Sequence, residues 1–275
     1  MTAVEGMGEH GYAAKLDRLR SHLRRLERVA VAFSGGVDSS VLLHAAQAQL
    51  SDGAVALIAD SPSLPRAELT AARRVAASIP ARLVELATDE LELEGYLRNS
   101  GDRCYFCKSA LFAAMRPWAQ AHGFRALAFG EITDDFADDR PGARAAREFE
   151  VVAPLSGAGF SKQDVRRYAS EHALEVADKP ASACLASRIP VGTRVTRADL
   201  ARVERSEQAL RELGFLQLRV RNRGTHARVE VAADEIARAR AVQAAIGARL
   251  AREGFQTVEL DIYRTAAERK SRARA

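Results

Sequence analysis

The sequence predicts a doubly wound parallel α/β sheet followed by a small α+β domain. Short apolar runs alternate with stretches of helical periodicity over the first two thirds of the chain, which is how strands joined by crossover helices read. Polar, turn-rich segments follow directly on two of those runs, at the strand ends where such folds bind ligands. From Thr196 onward the order changes to helix, two alternating strands, helix and strand.

The first strand is Val29-Ala30-Val31-Ala32-Phe33, an apolar run that stops at Ser34-Gly35-Gly36 and reads as a buried parallel strand entering a turn. A helix is expected over 37–50, a strand over 54–59, a helix over 65–78 and a strand over 82–86. A helix over 107–122 and a strand over 126–129 complete the sheet. Residues 130–160 read as a polar, turn-rich stretch, 162–171 as a helix, and 179–194 as the junction to the second part. There a charged helix over 199–213 ends at Gly214. Strands over 216–221 and 227–231 flank a hairpin at Asn222-Arg223-Gly224. A helix over 235–249 and a strand over 257–262 follow, with a frayed tail from 264. The expected domains are 1–185 and 186–275.

The 275 residues and 47% hydrophobic content suit a buried core. The longest apolar runs, such as 54–59, are far short of a membrane span. The first residues carry acids and no apolar stretch, so no secretory leader is expected and the cytoplasm is the expected location. Residues 186–275 hold 19 Lys/Arg against 11 Asp/Glu, a net charge of +8, whereas residues 1–185 carry 22 against 25, a net of −3. A basic C-terminal part suits anionic partners, from nucleotides to nucleic acid; an Arg-rich genome composition explains it equally well.

Ser34-Gly35-Gly36-Val37-Asp38-Ser39-Ser40 lies between a strand and a helix N-terminus. Glycines let the backbone approach a ligand, while hydroxyls and free helix amides hold an anion. The Lys of a Walker A loop is missing, and so is the Gly-x-Gly-x-x-Gly spacing of a dinucleotide fingerprint. Asp38, beside such a loop, suits a Mg²⁺ ligand. This motif resembles the PP-loop of the ATP-pyrophosphatases. That resemblance implies ATP as cosubstrate, attack of a substrate oxygen on the α-phosphate, and release of pyrophosphate.

Three cysteines are too few for a disulfide framework. Cys104 and Cys107 share one face if helical, and Cys184 is remote. Such a set suits three corners of an iron–sulfur cluster, a redox pair, or a zinc site finished by His; inert packing is the plain alternative.

The wider pattern is more specific. Cys104-Tyr105-Phe106-Cys107-Lys108, Gly130 to Asp135 with Asp138, Arg140-Pro141-Gly142, Lys179-Pro180, Cys184-Leu185-Ala186-Ser187-Arg188 and Arg219-Val220-Arg221 together resemble the LarE family. The likeness runs from about Leu16 to Arg264. That family comprises ATP-dependent sulfur transferases that convert the two carboxylates of pyridinium-3,5-biscarboxylic acid mononucleotide to thiocarboxylates for the nickel-pincer cofactor of lactate racemase. The resemblance implies Cys184 as the sulfur-bearing residue. In three-cysteine members it implies a 4Fe–4S cluster on Cys104, Cys107 and Cys184, and in one-cysteine members sacrifice of the cysteine to dehydroalanine. It also implies a homo-oligomer.

Arg188, Arg219 and Arg221 resemble family positions near the substrate phosphate. Arg219 and Arg221 share a strand face by alternation and are expected to reach one anion, unless that face is merely solvated. Glu207 matches a family acid that reaches substrate or metal, with a solvated helix face as the alternative. Asp134, Asp135 and Asp138 are candidates for positioning ATP or Mg²⁺. A tRNA thiolase shares the loop, the cysteines and a basic surface, but no aromatic stacking signature for RNA is present, so nucleic acid is not the expected partner. An ammonia-using synthetase leaves the cysteines unexplained.

Overall fold

A computed structural model describes residues 3–137, 141–180, 182–264 and 268. The chain divides into two compact units, one of Met1–Tyr96 with Gly101–Ser182 and the other of Leu97–Ser100 with Ala183–Ala275.

In the first unit the elements run α1 (Ala3–Leu26), β1 (Val29–Ala32), α2 (Val37–Leu50), β2 (Ala54–Asp60), α3 (Arg66–Ser78), β3 (Leu83–Ala87), α4 (Glu94–Arg98, whose last residues pass into the second unit), α5 (Arg103–Ala121), β4 (Ala126–Phe129), α6 (Pro141–Glu148), α7 (Pro154–Gly157) and α8 (Lys162–Glu171). The strands form one parallel sheet in the order β3-β2-β1-β4, with Val29 opposite Ala54 on one side and Ala126 on the other. Central β1 is buried at every position. Its alternation separates two cores. Val29 and Val31 pack with α1, α2, α3 and α8 through Leu19, Leu42, Val75 and Val165. Ala30 and Ala32 pack with α5 and α6 through Phe112, Met115 and Ala145. Period-two alternation with helices on both faces is the doubly wound arrangement.

Helix α1 was not expected from the sequence. Tyr12, Leu16, Leu19, Leu23 and Leu26 recur every three or four residues and line the core, but the positions between them are dense in charge. Helix α5 starts at Arg103 rather than at 107, so both cysteines of the pair fall in its opening turns. The stretch 130–160 contains α6, whose Ala145 and Ala146 are buried.

The second unit holds α9 (Arg197–Arg211), β5 (Leu218–Arg223), β6 (His226–Val231), α10 (Ile236–Ala241), α11 (Gln243–Arg252) and β7 (Thr257–Ile262). β5 and β6 pair antiparallel and β6 and β7 parallel, in the order β5-β6-β7. The hairpin turn is Gly224-Thr225, later than expected: Arg223 pairs with His226, and Gly224 takes φ +70°, which a residue with a Cβ adopts only under strain. The helix expected over 235–249 breaks at Val242 into α10 and α11. Leu218, Val220, Val229, Phe215 and Leu250 fill this core. The opposite face of the sheet is charged: Arg219, Arg221 and Arg223 stand across from Glu230, Arg228 and His226.

The strap Leu97–Ser100 is anchored within this unit by Asn99. Its buried amide donates to the carbonyls of Pro190 (2.7 Å) and Thr193 (3.0 Å). Its φ of +54° suits asparagine, the residue that tolerates the left-handed region best after glycine.

Candidate active site

The phosphate loop joins β1 to α2. Gly35 has φ +66°, and a Cβ there would lie 2.9 Å from the Cα of Ala72 on α3. Gly36 caps α2 with no side chain over the first-turn amides, which leaves a helix N-terminus of the kind that binds phosphate. Ser39 Oγ accepts from Ser34 N (3.2 Å) and donates to Gly36 O (3.1 Å), which fixes the turn. Ser40 Oγ is buried and has no partner among the described residues, the state expected of a hydroxyl that lacks its ligand. A Cβ on Gly130 would lie 2.9 Å from the Asp38–Ser39 peptide, so the end of β4 closes against the start of α2. The loop therefore fits a polyphosphate.

Asp38 projects from the first turn of α2, half-exposed. Lys162 Nζ lies 2.8 Å from its Oδ1 and 3.0 Å from its Oδ2. Lys162 opens α8, and its backbone N donates to Asp134 Oδ1 (3.0 Å). A Ser161–Asp164 capping box fixes that helix end, with Lys15 on Asp164 at 2.6 Å. Burial would raise the Asp164 carboxyl, but the Lys15 ammonium and the Ser161 hydrogen bonds outweigh it and hold the group below its ordinary range. Lys179 Nζ reaches Gly35 O (3.0 Å) and Glu68 Oε2 (2.9 Å). Two lysines from distant sequence thus flank the loop, each paired with a carboxylate. Nothing in the local pattern of Ser161-Lys162-Gln163 marked Lys162 as part of the site.

The loop acids are occupied with backbone. Asp134 receives Lys162 N, and Asp135 Oδ2 accepts from Ile132 N at 3.2 Å. Asp138 and Arg140 lie outside the described residues. Asp38 is the acid that stands at the loop itself, paired there with Lys162.

Cys104 is exposed and Cys107 half-buried, one helical turn apart on α5. Phe106 between them packs its ring on Gly95 of α4, where any Cβ would fall inside the ring. Lys108 follows, its ammonium 5.7 Å from the Phe112 ring and 5.8 Å from the Phe129 ring. Burial lowers its pKa, and Cys107 and Cys104 pull it back up. Lys108 thus sits against apolar rings beside the two thiols. Among the described residues no group of three His, Cys, Asp or Glu side chains is gathered as a metal site.

In the second unit half-buried Cys184 precedes a 3₁₀ turn, Leu185–Arg188. The Arg188 guanidinium organises that turn: Nη1 donates to Ala183 O (2.6 Å), Cys184 O (2.9 Å) and Ser187 Oγ (3.0 Å). Its Nε and Nη2 grip Glu207 at 2.8 and 3.1 Å. Glu207 Oε1 also accepts from Val220 N (3.1 Å). Arg188 is 2% exposed and Glu207 1%, so neither faces solvent and the solvated-face reading of Glu207 fails. Glu207 shapes the cysteine turn and the start of β5, whereas Arg188, besides holding that turn, also lines the cavity at Arg221.

Arg219 and Arg221 diverge. Arg219 Nη1 donates to Leu218 O (2.7 Å), and burial, followed by repulsion from Arg188, pulls its guanidinium below the ordinary arginine range. Arg221 binds Glu230 Oε2 (2.8 Å) and Ser187 O (2.9 Å) and lines a cavity of about 390 Å³. Ser187, Arg223, Arg228, Glu230 and Arg264 also line it, whereas Arg219 does not. The alternation that placed Arg219 and Arg221 on one face also marked Arg223, and Arg228 stands directly across from Arg221.

A family model described as asparagine synthase matches residues 16–100, the stretch that carries the phosphate loop. An uncharacterized protein of Synechocystis sp. is 40% identical over 223 residues, 81% of this chain and 83% of its own. The pyridinium-3,5-bisthiocarboxylic acid mononucleotide synthase of Lactiplantibacillus plantarum is 34% identical over 251 residues, 91% of each chain. The chain belongs to the LarE family. An uncharacterized protein of Methanocaldococcus jannaschii, 26% identical over 259 residues, spans 92% of the LarE chain described here and 99% of its own length. As a LarE protein the chain is an ATP-dependent sulfurtransferase on a PP-loop fold. Among the described residues no helix is long and apolar enough to cross a membrane.

Proposed function

We propose that this chain thiolates the two carboxylates of pyridinium-3,5-biscarboxylic acid mononucleotide for nickel-pincer cofactor synthesis, acting as a cytoplasmic homo-oligomer. A carboxylate oxygen attacks the α-phosphorus of ATP, the α–β bridge breaks, and pyrophosphate leaves. A sulfur nucleophile then adds to the acyl carbon and expels AMP, leaving a thiocarboxylate. Each conversion uses one ATP and one sulfide. The loop amides and Ser40 hold phosphate oxygens, Asp38 would hold Mg²⁺, and Lys162 offsets the charge of pyrophosphate. The cavity at Arg221, Arg223, Arg228 and Arg264 suits the substrate's phosphate monoester. The observation that carries this reading is the anion-ready loop in one unit with a paired-thiol helix turn beside a cation, in a chain 34% identical to the bisthiocarboxylate synthase.

The finer proposal is that Cys104, Cys107 and Cys184 bind a 4Fe–4S cluster, which supplies an open iron for carrying sulfide. A second reading makes Cys184 itself the donor. There its thiol attacks the acyl-adenylate and expels AMP to give a thioester, and loss of the Cα proton with cleavage of the Cβ–S bond leaves dehydroalanine and the thiocarboxylate.

The deciding experiment incubates anaerobically purified protein with ATP, Mg²⁺ and the pyridinium substrate, and reads pyrophosphate and product mass; unmodified tRNA serves as the alternative substrate. Substrate-dependent pyrophosphate and a mass gain from oxygen-to-sulfur exchange support the reading, whereas turnover with tRNA alone overturns it. Iron and sulfide near four per chain, lost in Cys104→Ala, support the cluster. Iron-free protein that loses the mass of hydrogen sulfide at Cys184 establishes the sacrificial route.

A further inference from the structure

We infer that Lys162 is the resident counter-ion of Asp38, and that Asp38 must exchange this ammonium for a divalent cation before the phosphate loop is competent; the inference rests on the ATP- and Mg²⁺-binding reading of the loop. Lys162 Nζ sits within 3.0 Å of both Asp38 oxygens, so the ammonium covers the lone pairs a metal would use. The carboxylate and the bound cation are therefore competitors for one site, and Lys162 sets how much metal the loop requires.

The surroundings fit an exchange that moves one side chain. The backbone of Lys162 is tied to Asp134, and its helix start is locked by the Ser161–Asp164 capping box. Its side chain is 37% exposed and swings on a four-carbon stem. Ion pairs this exposed are weak enough to be displaced. Lys179, the other lysine at the loop, is held by the Glu68 carboxylate and the Gly35 carbonyl; its charge is already balanced, and none of its partners is the metal ligand. Once displaced, Lys162 is a freed cation within reach of the loop, where pyrophosphate charge develops. It is a positioning residue with two states.

The test is Mn²⁺ binding to nucleotide-free protein, followed by the loss of the free-ion electron paramagnetic resonance signal, in wild type, Lys162→Gln and Asp38→Asn. Lys162→Gln is expected to tighten Mn²⁺ binding about fivefold, the scale of a half-exposed ion pair, and Asp38→Asn to remove this site. In pyrophosphate exchange, Lys162→Gln is expected to need less Mg²⁺ for half-maximal rate while its maximal rate falls. Unchanged or weaker Mn²⁺ binding in folded Lys162→Gln overturns the inference. Should that variant not fold, acetylation of wild-type lysines read by mass spectrometry decides: Mg²⁺ alone must raise labelling at Lys162, and unchanged labelling overturns the proposal. Neither binding readout uses the pyridinium substrate, so a wrong substrate assignment leaves both interpretable.

Discussion

Arg188 and Glu207 face each other across a dry interior, guanidinium to carboxylate at 2.8 and 3.1 Å. The same arginine fork holds the carbonyls on either side of the Ala183–Cys184 peptide bond's two residues. Stability and cysteine presentation therefore share one side chain.

Removing one partner strands the other as a buried charge. Glu207→Ala is expected to cost about 3 kcal/mol or more in urea denaturation. Arg188→Met with Glu207→Leu recovers most of that loss, because an apolar pair of similar volume removes both charges. Sulfur transfer is not expected to recover with it, since the carbonyls around Cys184 lose their donor. Restored transfer in the double variant would show that the fork matters only for stability.

Gly95→Ala tests the thiol pair without touching it. The added methyl has to displace the Phe106 ring between Cys104 and Cys107. A destabilisation of about 1–3 kcal/mol is expected, with intact ATP–pyrophosphate exchange and, on the proposed cluster reading, reduced iron loading. Iron content equal to wild type would show that ring placement does not govern the pair.

Asn99→Ala takes the side-chain donor from the Pro190 and Thr193 carbonyls, of which Pro190 O keeps Thr193 N at 3.0 Å, and puts alanine at φ +54°. A loss of about 2–3 kcal/mol is expected by chemical denaturation. Asn99→Gly, which removes the strain but not the lost bonds, is expected to fall in between.

His44 on α2 lies 2.9 Å from Tyr168 Oη and stacks near His172. Burial, followed by the His172 charge, lowers its pKa below 6.5. The folded state thus favours the neutral ring. Its contribution is complete above pH 6.5 and fades as pH falls through the lower folded value. The melting temperature is expected to drop as pH falls below 6.5, and His44→Gln to flatten that drop. An unchanged slope in the variant would assign the acid loss elsewhere.

Much of this was legible because it is local. The run 29–33, its stop at Gly35-Gly36 and the helical period after Val37 depend on neighbours in sequence, and the fold places them as read. The shared face of the thiol pair follows from spacing once the segment is helical, but the helix start at Arg103, which brings Cys104 into it, was not read. Lys162 and the Arg188–Glu207 pair were hidden for the opposite reason. A lysine opening a polar helix and a glutamate on a charged one carry no local mark; only packing decides that one meets Asp38 and the other is sealed from water. Helix α1 fell between these cases, since its apolar spacing was present but diluted by arginines.

The four residues Leu97–Ser100 belong with the unit that otherwise begins at Ala183, and Asn99 ties them there. No single cut in the gene can therefore deliver either unit whole. A fragment starting at 183 lacks its own strap, and one ending at 182 carries a piece of its neighbour. Recombination between relatives, or the building of chimeras, must move the codons for 97–100 together with the 3′ part of the gene.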